Sequence, residues 1–245
     1  MRKLYILLLT GLVATATATY GQVLYGLQGS FQSSNVALGS AAGAFGSLGF
    51  DVSSMFQART GLRAGVMADI PISDRLSVRP QLLYSVKGYK VDPRPLITSL
   101  VGGFGGSVGP LSDSLVQTAG VSYLEVPVQV MYGLDAGPGR VIVGAGPYVA
   151  YALSGTMNGR SVDFANTFKR FDYGATLSVG YELPMGLTAS VFYSYGFANL
   201  MSATQNTPPT SPVDPDMDPS AFMPTGSIKN RSFGLSIGYF FGAGY

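Results

Sequence analysis

Arg63, Asp69, Arg79, Lys87, Glu125, Asp172 and Glu182 each stand in a segment where large apolar residues alternate with small or polar ones. Charges of both signs set against apolar neighbours could move protons, line an ion path, or neutralise one another as a structural plug. The first option is poorly supplied, because the chain has no His and no Cys. That removes the usual general base, the usual metal ligand and the usual pH switch, along with thiolate nucleophiles and disulfides. The carboxylates have no nucleophile or substrate cleft beside them, so no catalytic residue is assigned and no enzyme activity is expected. A second cluster, "DPDMDP", places Asp214, Asp216 and Asp218 at alternate positions. Oxygen ligands at that spacing suit calcium, but the glycine and distal glutamate of an EF-hand are missing and prolines stiffen the segment. It reads as a solvated acidic turn in a Pro-rich loop, without a metal or other cofactor. "GAG" at 144–146 and 242–244 does not open a helix after a strand, so it lacks the geometry that cradles a phosphate.

The elements that carry the seven charges have period two, the repeat of a β-strand with unlike faces. About eight such segments recur. They run Val23–Gln32, Arg59–Ile70, Arg75–Tyr89, Gly120–Tyr132, Arg140–Leu153, Phe171–Leu183, Gly186–Ala198 and finally "SFGLSIGYFF" at 232–241. In the last, Phe233, Leu235, Ile237, Tyr239 and Phe241 form one face, while Ser232, Gly234, Ser236, Gly238 and Phe240 form the other. Three connections are short: "PISD" (71–74), "GLDAGPG" (133–139) and "LPMG" (183–186). They alternate with four long ones, near 33–58, 90–119, 154–170 and 199–230. Short turns at one end and long loops at the other are the asymmetry of outer-membrane barrels.

Composition agrees. Only 11% of the 245 residues are charged, against about 25% in a soluble domain. The longest uncharged runs after the N-terminus are interrupted by Gly and Pro, so no spanning helix is expected. "MRKLYILLLTGLVATATATYGQ" has Arg2 and Lys3 before an apolar stretch and small residues at Ala16 and Ala18. It reads as a secretory signal peptide within residues 1–21, cleaved after residue 18 or 21, leaving 22–245 as a single barrel domain. A net charge of +2 suggests no nucleic-acid partner. With strands running alternately up and down, Tyr25, Tyr132, Tyr181, Tyr239 and Phe241 fall at the periplasmic end. Phe31, Tyr151, Phe171, Tyr173, Tyr195, Phe197 and Phe233 fall at the outer end. Two aromatic bands around a zone of Leu, Val and Ala are expected at membrane–water interfaces.

"RTGLRAGVMADIPISDRLSVRPQLLYSVKGYK" (59–90), "YLEVPVQVMYGL" (123–134), "VGAGPYVAYAL" (143–153), "FDYGATLSVGYEL" (171–183) and "FYSYGFANL" (192–200) resemble the outer-membrane β-barrel family of the Bacteroidota, the porin-family or PorT-type barrels. The resemblance runs over essentially the whole mature chain. It implies an eight-stranded, antiparallel, up-and-down transmembrane barrel in the cell outer membrane, and says little about mechanism. Ser232, Gly234, Ile237 and Tyr239 resemble the C-terminal signal read by the barrel assembly machinery.

The seven charges then point into a narrow barrel. Arg63, Lys87 and Asp172 are expected toward the exterior, Glu125 near the middle, and Arg79, Asp69 and Glu182 toward the periplasm. An eight-stranded barrel has room for little beyond its own side chains, so a salt-bridge plug is the expected arrangement and a gated ion path the alternative. The connection 90–119 is unusually apolar for an exposed loop. Leu96, Ile97, Leu100 and Phe104 are its candidate contact residues for an envelope protein or surface ligand. Two functions stay open: a structural or interaction barrel that works through its long loops, and a minor pore for small solutes or ions.

Overall fold

The computed structural model describes residues 22–38, 55–161, 169–199 and 228–242. The signal-peptide segment and Asp214, Asp216 and Asp218 lie outside the described residues. The strands are β1 (Leu24–Leu38), β2 (Phe56–Pro71), β3 (Leu76–Val91), β4 (Gln117–Ala136), β5 (Gly139–Met157), β6 (Arg160–Ser161), β7 (Phe171–Glu182), β8 (Leu187–Gly196) and β9 (Ile228–Phe241). Each long strand pairs antiparallel with its sequence neighbours, and β1 pairs with β9 from Tyr25↔Phe241 to Leu38↔Ile228. That last ladder closes the sheet. Eight long strands therefore form a closed antiparallel barrel, while β6 is only a two-residue return onto β5. Among the described residues no helix is long and apolar enough to cross a membrane, and the crossing is made by strands.

The two faces separate as the alternation requires. Tyr25, Leu27, Phe31, Leu62, Leu82, Tyr173, Leu235 and Ile237 all point outward and are exposed, while Ser30, Arg63, Ser85, Thr176 and Ser236 point inward and are buried. A soluble sandwich would reverse this, turning its apolar face into a core. Here the apolar face is the outside, which only a hydrocarbon surround stabilises. The bare positions of β9 are explained by what fills the lumen opposite them. A Cβ at Gly234 would come within 2.7 Å of the Phe192 ring and 2.3 Å of the Phe31 carbonyl oxygen. A Cβ at Gly26 would meet the Phe240 ring at 2.9 Å and the Tyr239 carbonyl oxygen at 2.4 Å. Glycine is present at both because rings and backbone already occupy the space of a side chain.

Several boundaries differ from the sequence reading: β1 runs on to Leu38 rather than Gln32, and β9 begins at Ile228 rather than Ser232. β4 and β5 run on to Ala136 and from Gly139, so the connection read as 133–139 narrows to Gly137 and Pro138, with Gly137 at φ 62°. Asp135, inside the segment read as a connection, is the cross-strand partner of Arg140 in the ladder. β3 and β4 likewise extend to Val91 and from Gln117, which shortens the third connection. Within it lie a helix, α1 (Arg94–Gly103), and a 3-10 turn at Asp113–Leu115, where a featureless loop was expected. The short turns between β2 and β3, β4 and β5, and β7 and β8 all lie at one end, together with the start of β1 and the end of β9. That end is the periplasmic one by the usual asymmetry of such barrels.

Candidate functional site

Inward charges on five strands meet in two groups. Near the middle and outer half, Glu125 from β4 takes Arg63 from β2 at 3.1 Å and Lys87 from β3 at 2.9 Å. The two cations are further seated on rings. Arg63 lies 4.7 Å from the centre of Phe192, and Lys87 lies 4.7 Å from Tyr148 and 5.6 Å from Tyr123. Such cation–ring contacts add attraction where water is excluded. At the periplasmic end, Arg79 from β3 bonds Asp69 at 2.8 Å and Glu182 at 3.0 Å, and stacks 4.7 Å from Phe240. Arg140 from β5 closes this group, 2.7 Å from Glu182 and 3.9 Å from Asp69. Ser77 donates to Asp69 at 2.8 Å.

Asp172 departs from the expected network. Among the described residues it makes no ion pair. Its Oδ2 accepts from the Tyr148 hydroxyl at 3.2 Å and from Asn230 Nδ2 at 2.9 Å, and Oδ1 has no hydrogen-bond donor. Asn230 also donates to the Tyr123 hydroxyl at 3.3 Å. Between the two ionic groups, neutral side chains pair along the inner wall. Gln81 donates to Gln129 at 3.1 Å, Gln129 to Ser178 at 2.9 Å, and Ser194 to Thr176 at 3.0 Å. Glu125, Lys87, Asp172, Tyr148 and Phe240 are each 2% exposed or less. Side chains fill the lumen at every one of these levels.

Arg140, Tyr123, Tyr148, Phe192, Phe240 and Asn230 complete this interior and were not singled out from sequence. Their positions were readable. Arg140 shares the parity of Ile142 and Gly144, opposite the outward Val143 and Val149. What was missing was the register that brings strands far apart in sequence together.

The outer rim carries the other candidates. α1 starts with Pro95 in its first turn and ends in Gly102 and Gly103, a start and stop signature for a short helix. Leu96, Ile97, Leu100 and Val101 have the i, i+4 spacing of one helical face. Leu96 is buried, and the reading of it as an exposed contact residue is corrected: it anchors the helix. Ile97 and Leu100 are half-buried, and Phe104 is 89% exposed. An ionic staple holds the segment. Arg94 donates to Asp92 through Nε at 2.8 Å and Nη2 at 2.7 Å, and also engages Asp113. Gln57 on β2 donates to Asp92 at 3.1 Å. The Arg94 hydrogen bond holds the Asp92 carboxyl below its usual range against a smaller effect of burial. Asp92 and Asp113 in turn raise Arg94 above its ordinary value. No group of three or more metal-ligating side chains occurs among the described residues.

A closed barrel with a lipid-facing apolar wall and a polar, filled interior is an outer-membrane β-barrel. The chain belongs to the outer membrane protein beta-barrel domain family, whose model matches residues 17–202, and it resides in the outer membrane with lipid around its outward face. Solved structures similar to it include Ail, the attachment invasion locus protein of Yersinia pestis, in complex with the heparin analogue sucrose octasulfate. The identity there is 10%, covering 89% of this chain and 99% of that one at a TM-score of 0.40. Neisserial surface protein A is 10% identical over 88% of this chain and 96% of that one, at a TM-score of 0.43. OprG from Pseudomonas aeruginosa is 13% identical over 89% and 95%, at 0.42. No curated protein matches the chain.

Proposed function

We propose that this barrel is a closed, non-enzymatic scaffold that holds surface segments for an envelope protein or surface ligand, and that it does not conduct solutes. The observation that carries the reading is the filled lumen, where Lys87, Glu125, Asp172, Tyr148 and Phe240 are each 2% exposed or less. An ion path would need those polar groups to face water. The rim supports the same reading, because α1 is held by its own ionic staple while Phe104 stays exposed. Within the family, the quoted motifs favour the PorT-type barrels of the Bacteroidota. Residues 1–21 serve as a signal peptide in this reading, and the last strand is handed to the barrel assembly machinery.

Single-channel recording on the refolded full chain tests the closed lumen, with no stepwise conductance expected. Regular steps would transfer the function to a small pore. The surface role is tested by replacing Leu96–Leu111 with a short Gly/Ser linker. The β3–β4 ladder ends at Val91↔Gln117 and is untouched by that change. A folded barrel that loses cross-linking to its cellular partner is expected. Unchanged cross-linking would move the contact away from this segment.

A further inference from the structure

Among the described residues, Asp172 is the one buried carboxylate of the lumen without an ion pair. The space beside it is shaped for a cation. Oδ2 accepts from Tyr148 and Asn230, while Oδ1 has no donor. Opposite Oδ1 stands a glycine, Gly196. A Cβ there would come 2.9 Å from Asp172 Oδ1, 3.0 Å from the Tyr148 hydroxyl oxygen and 3.2 Å from the Asn230 carbonyl oxygen. Three oxygens thus converge on the space that Gly196 leaves, and an ammonium has three N–H donors to match them.

A lysine already stands beside this seat. Lys87 Nζ lies 4.7 Å from the ring centre of Tyr148, whose hydroxyl bonds Asp172, while its ionic partner is Glu125 at 2.9 Å. The register puts Glu125 and Asp172 on one row, since Ala150 is the cross-strand partner of both. On β5 only the methyl group of Ala150 stands between them. A flexible four-carbon stem lets the ammonium swing along the Tyr148 ring, whose face attracts it on the way. Besides Lys87 and Glu125, the charged or titratable side chains turned inward at this end are Arg63 on β2, Tyr89 on β3, Tyr123 on β4 and Tyr148 on β5. From β1, β8 and β9 come the uncharged Gln32, Ser34, Ser194, Asn230 and Ser232, and Arg170, two residues before Asp172, is exposed. Arg63 and Lys87 share the single charge of Glu125, so an ionised Asp172 would balance the set. A metal ion would add charge to that balanced set, and the seat therefore suits Lys87 itself.

We infer that Glu125 and Asp172 are alternative seats for the Lys87 ammonium, exchanged by one proton on Asp172. With the proton in place Asp172 is neutral and Lys87 stays with Glu125, as in this structure. When the proton leaves to the outer solvent, Lys87 keeps its charge and moves to Asp172 Oδ1. Arg63 remains with Glu125, and each carboxylate then holds one cation. Rising pH drives the move and falling pH reverses it. Gly196 ends β8 and Asn230 lies in the first turn-length of β9, so the seat draws on both roots of the β8–β9 connection. The external pH is thereby passed to the surface end of the barrel. The device needs no open lumen and is independent of any partner bound over the mouth.

The test uses the full chain refolded into lipid bilayers, with nitrogen-labelled lysine and carbon-labelled side-chain carboxyls. Solid-state NMR reads nitrogen–carboxyl contacts at about pH 5 and about pH 9, a range over which lysine stays charged. The Lys87 nitrogen should couple to the Glu125 carboxyl at the lower pH and to the Asp172 carboxyl at the higher. Asp172→Asn copies the neutral acid and should keep Lys87 on Glu125 at both. Gly196→Ala fills the second seat without changing any charge, and should also hold Lys87 on Glu125 while Asp172 still titrates. Unboiled gel mobility verifies that the variants are folded, and if Gly196→Ala is not, Asp172→Asn alone decides. The same Lys87 contact at both pH values in the unaltered chain would overturn the proposal. Transfer that survives in folded Gly196→Ala would overturn it as well, by removing the seat. So would movement of Lys87 in Asp172→Asn, which would put the controlling proton on another group.

Discussion

Glu125 and Asp172 are both buried carboxylates in one lumen, and their surroundings assign them different roles. Glu125 neutralises two cations, Arg63 and Lys87, at 3.1 and 2.9 Å. Removing it leaves both buried without a counter-charge, and breaking such a pair typically costs about 3–5 kcal/mol. Glu125→Leu should therefore lower the unfolding free energy by about that amount, measured by urea titration of the barrel in lipid. Asp172 instead accepts from Tyr148 and Asn230, and an amide oxygen can accept from the same donors. Asp172→Asn should cost no more than about 1.5 kcal/mol, the scale of a neutral hydrogen bond. Equal losses in the two variants would mean that Asp172 carries charge balance after all. Strand parity in the sequence was enough to place both residues inside. It was not enough to distinguish them, because the donors to Asp172 come from positions 24 and 58 residues away. Only the closed register of the sheet sets such distances.

At the scale of the element, the strands were legible and the rim was not. A strand in this barrel has lipid on one face and a narrow lumen on the other, so every second residue records its surroundings. A rim segment has no such periodic solvent. The connection 90–119 read only as an unusually apolar loop, although Pro95 and the glycines at 102 and 103 bound a short helix within it. What orders α1 is the pair of carboxylates around Arg94, and the acid response of that staple follows from it. The Asp92 carboxyl is held below its ordinary range by Arg94. A depressed folded-state value means that the contribution is complete above the ordinary carboxylate range and is lost as pH falls through the folded value. The segment should thus be ordered at neutral pH and loosen on acidification below about pH 4. The chain has no tryptophan, so Phe104→Trp supplies a single reporter at an exposed position beside the helix. Its fluorescence anisotropy should drop on acidification, and Asp92→Asn should give the low value already at neutral pH. Flat anisotropy from pH 7 to pH 3 would mean that packing of Leu96, rather than the ion pairs, holds the segment.

For the whole molecule, closure matters more than any single contact. Each of the eight long strands has a partner on both sides, and the ring is completed by fourteen residue pairs between β1 and β9. A closed sheet leaves no row of unpaired backbone groups in hydrocarbon, where each would cost several kcal/mol. Detergent therefore has no edge from which to peel the sheet, and the native barrel should persist in cold dodecyl sulfate. The unboiled protein is expected to migrate differently from the boiled one. Loss of β9 removes both ladders that it makes, with β1 and with β8, and exposes two edges together. A chain ending at residue 227 should show no heat-modifiable form and should fail to fractionate with the outer membrane. The truncation also removes Ser232, Gly234, Ile237 and Tyr239, so a failure to be delivered must be separated from a failure to close. Refolding the shortened chain directly into lipid vesicles makes that separation, because no assembly machinery is present. If the truncated chain became protease-resistant and heat-modifiable in vesicles, seven strands would suffice to close the wall, and the β1–β9 ladder would not be the step that completes the fold.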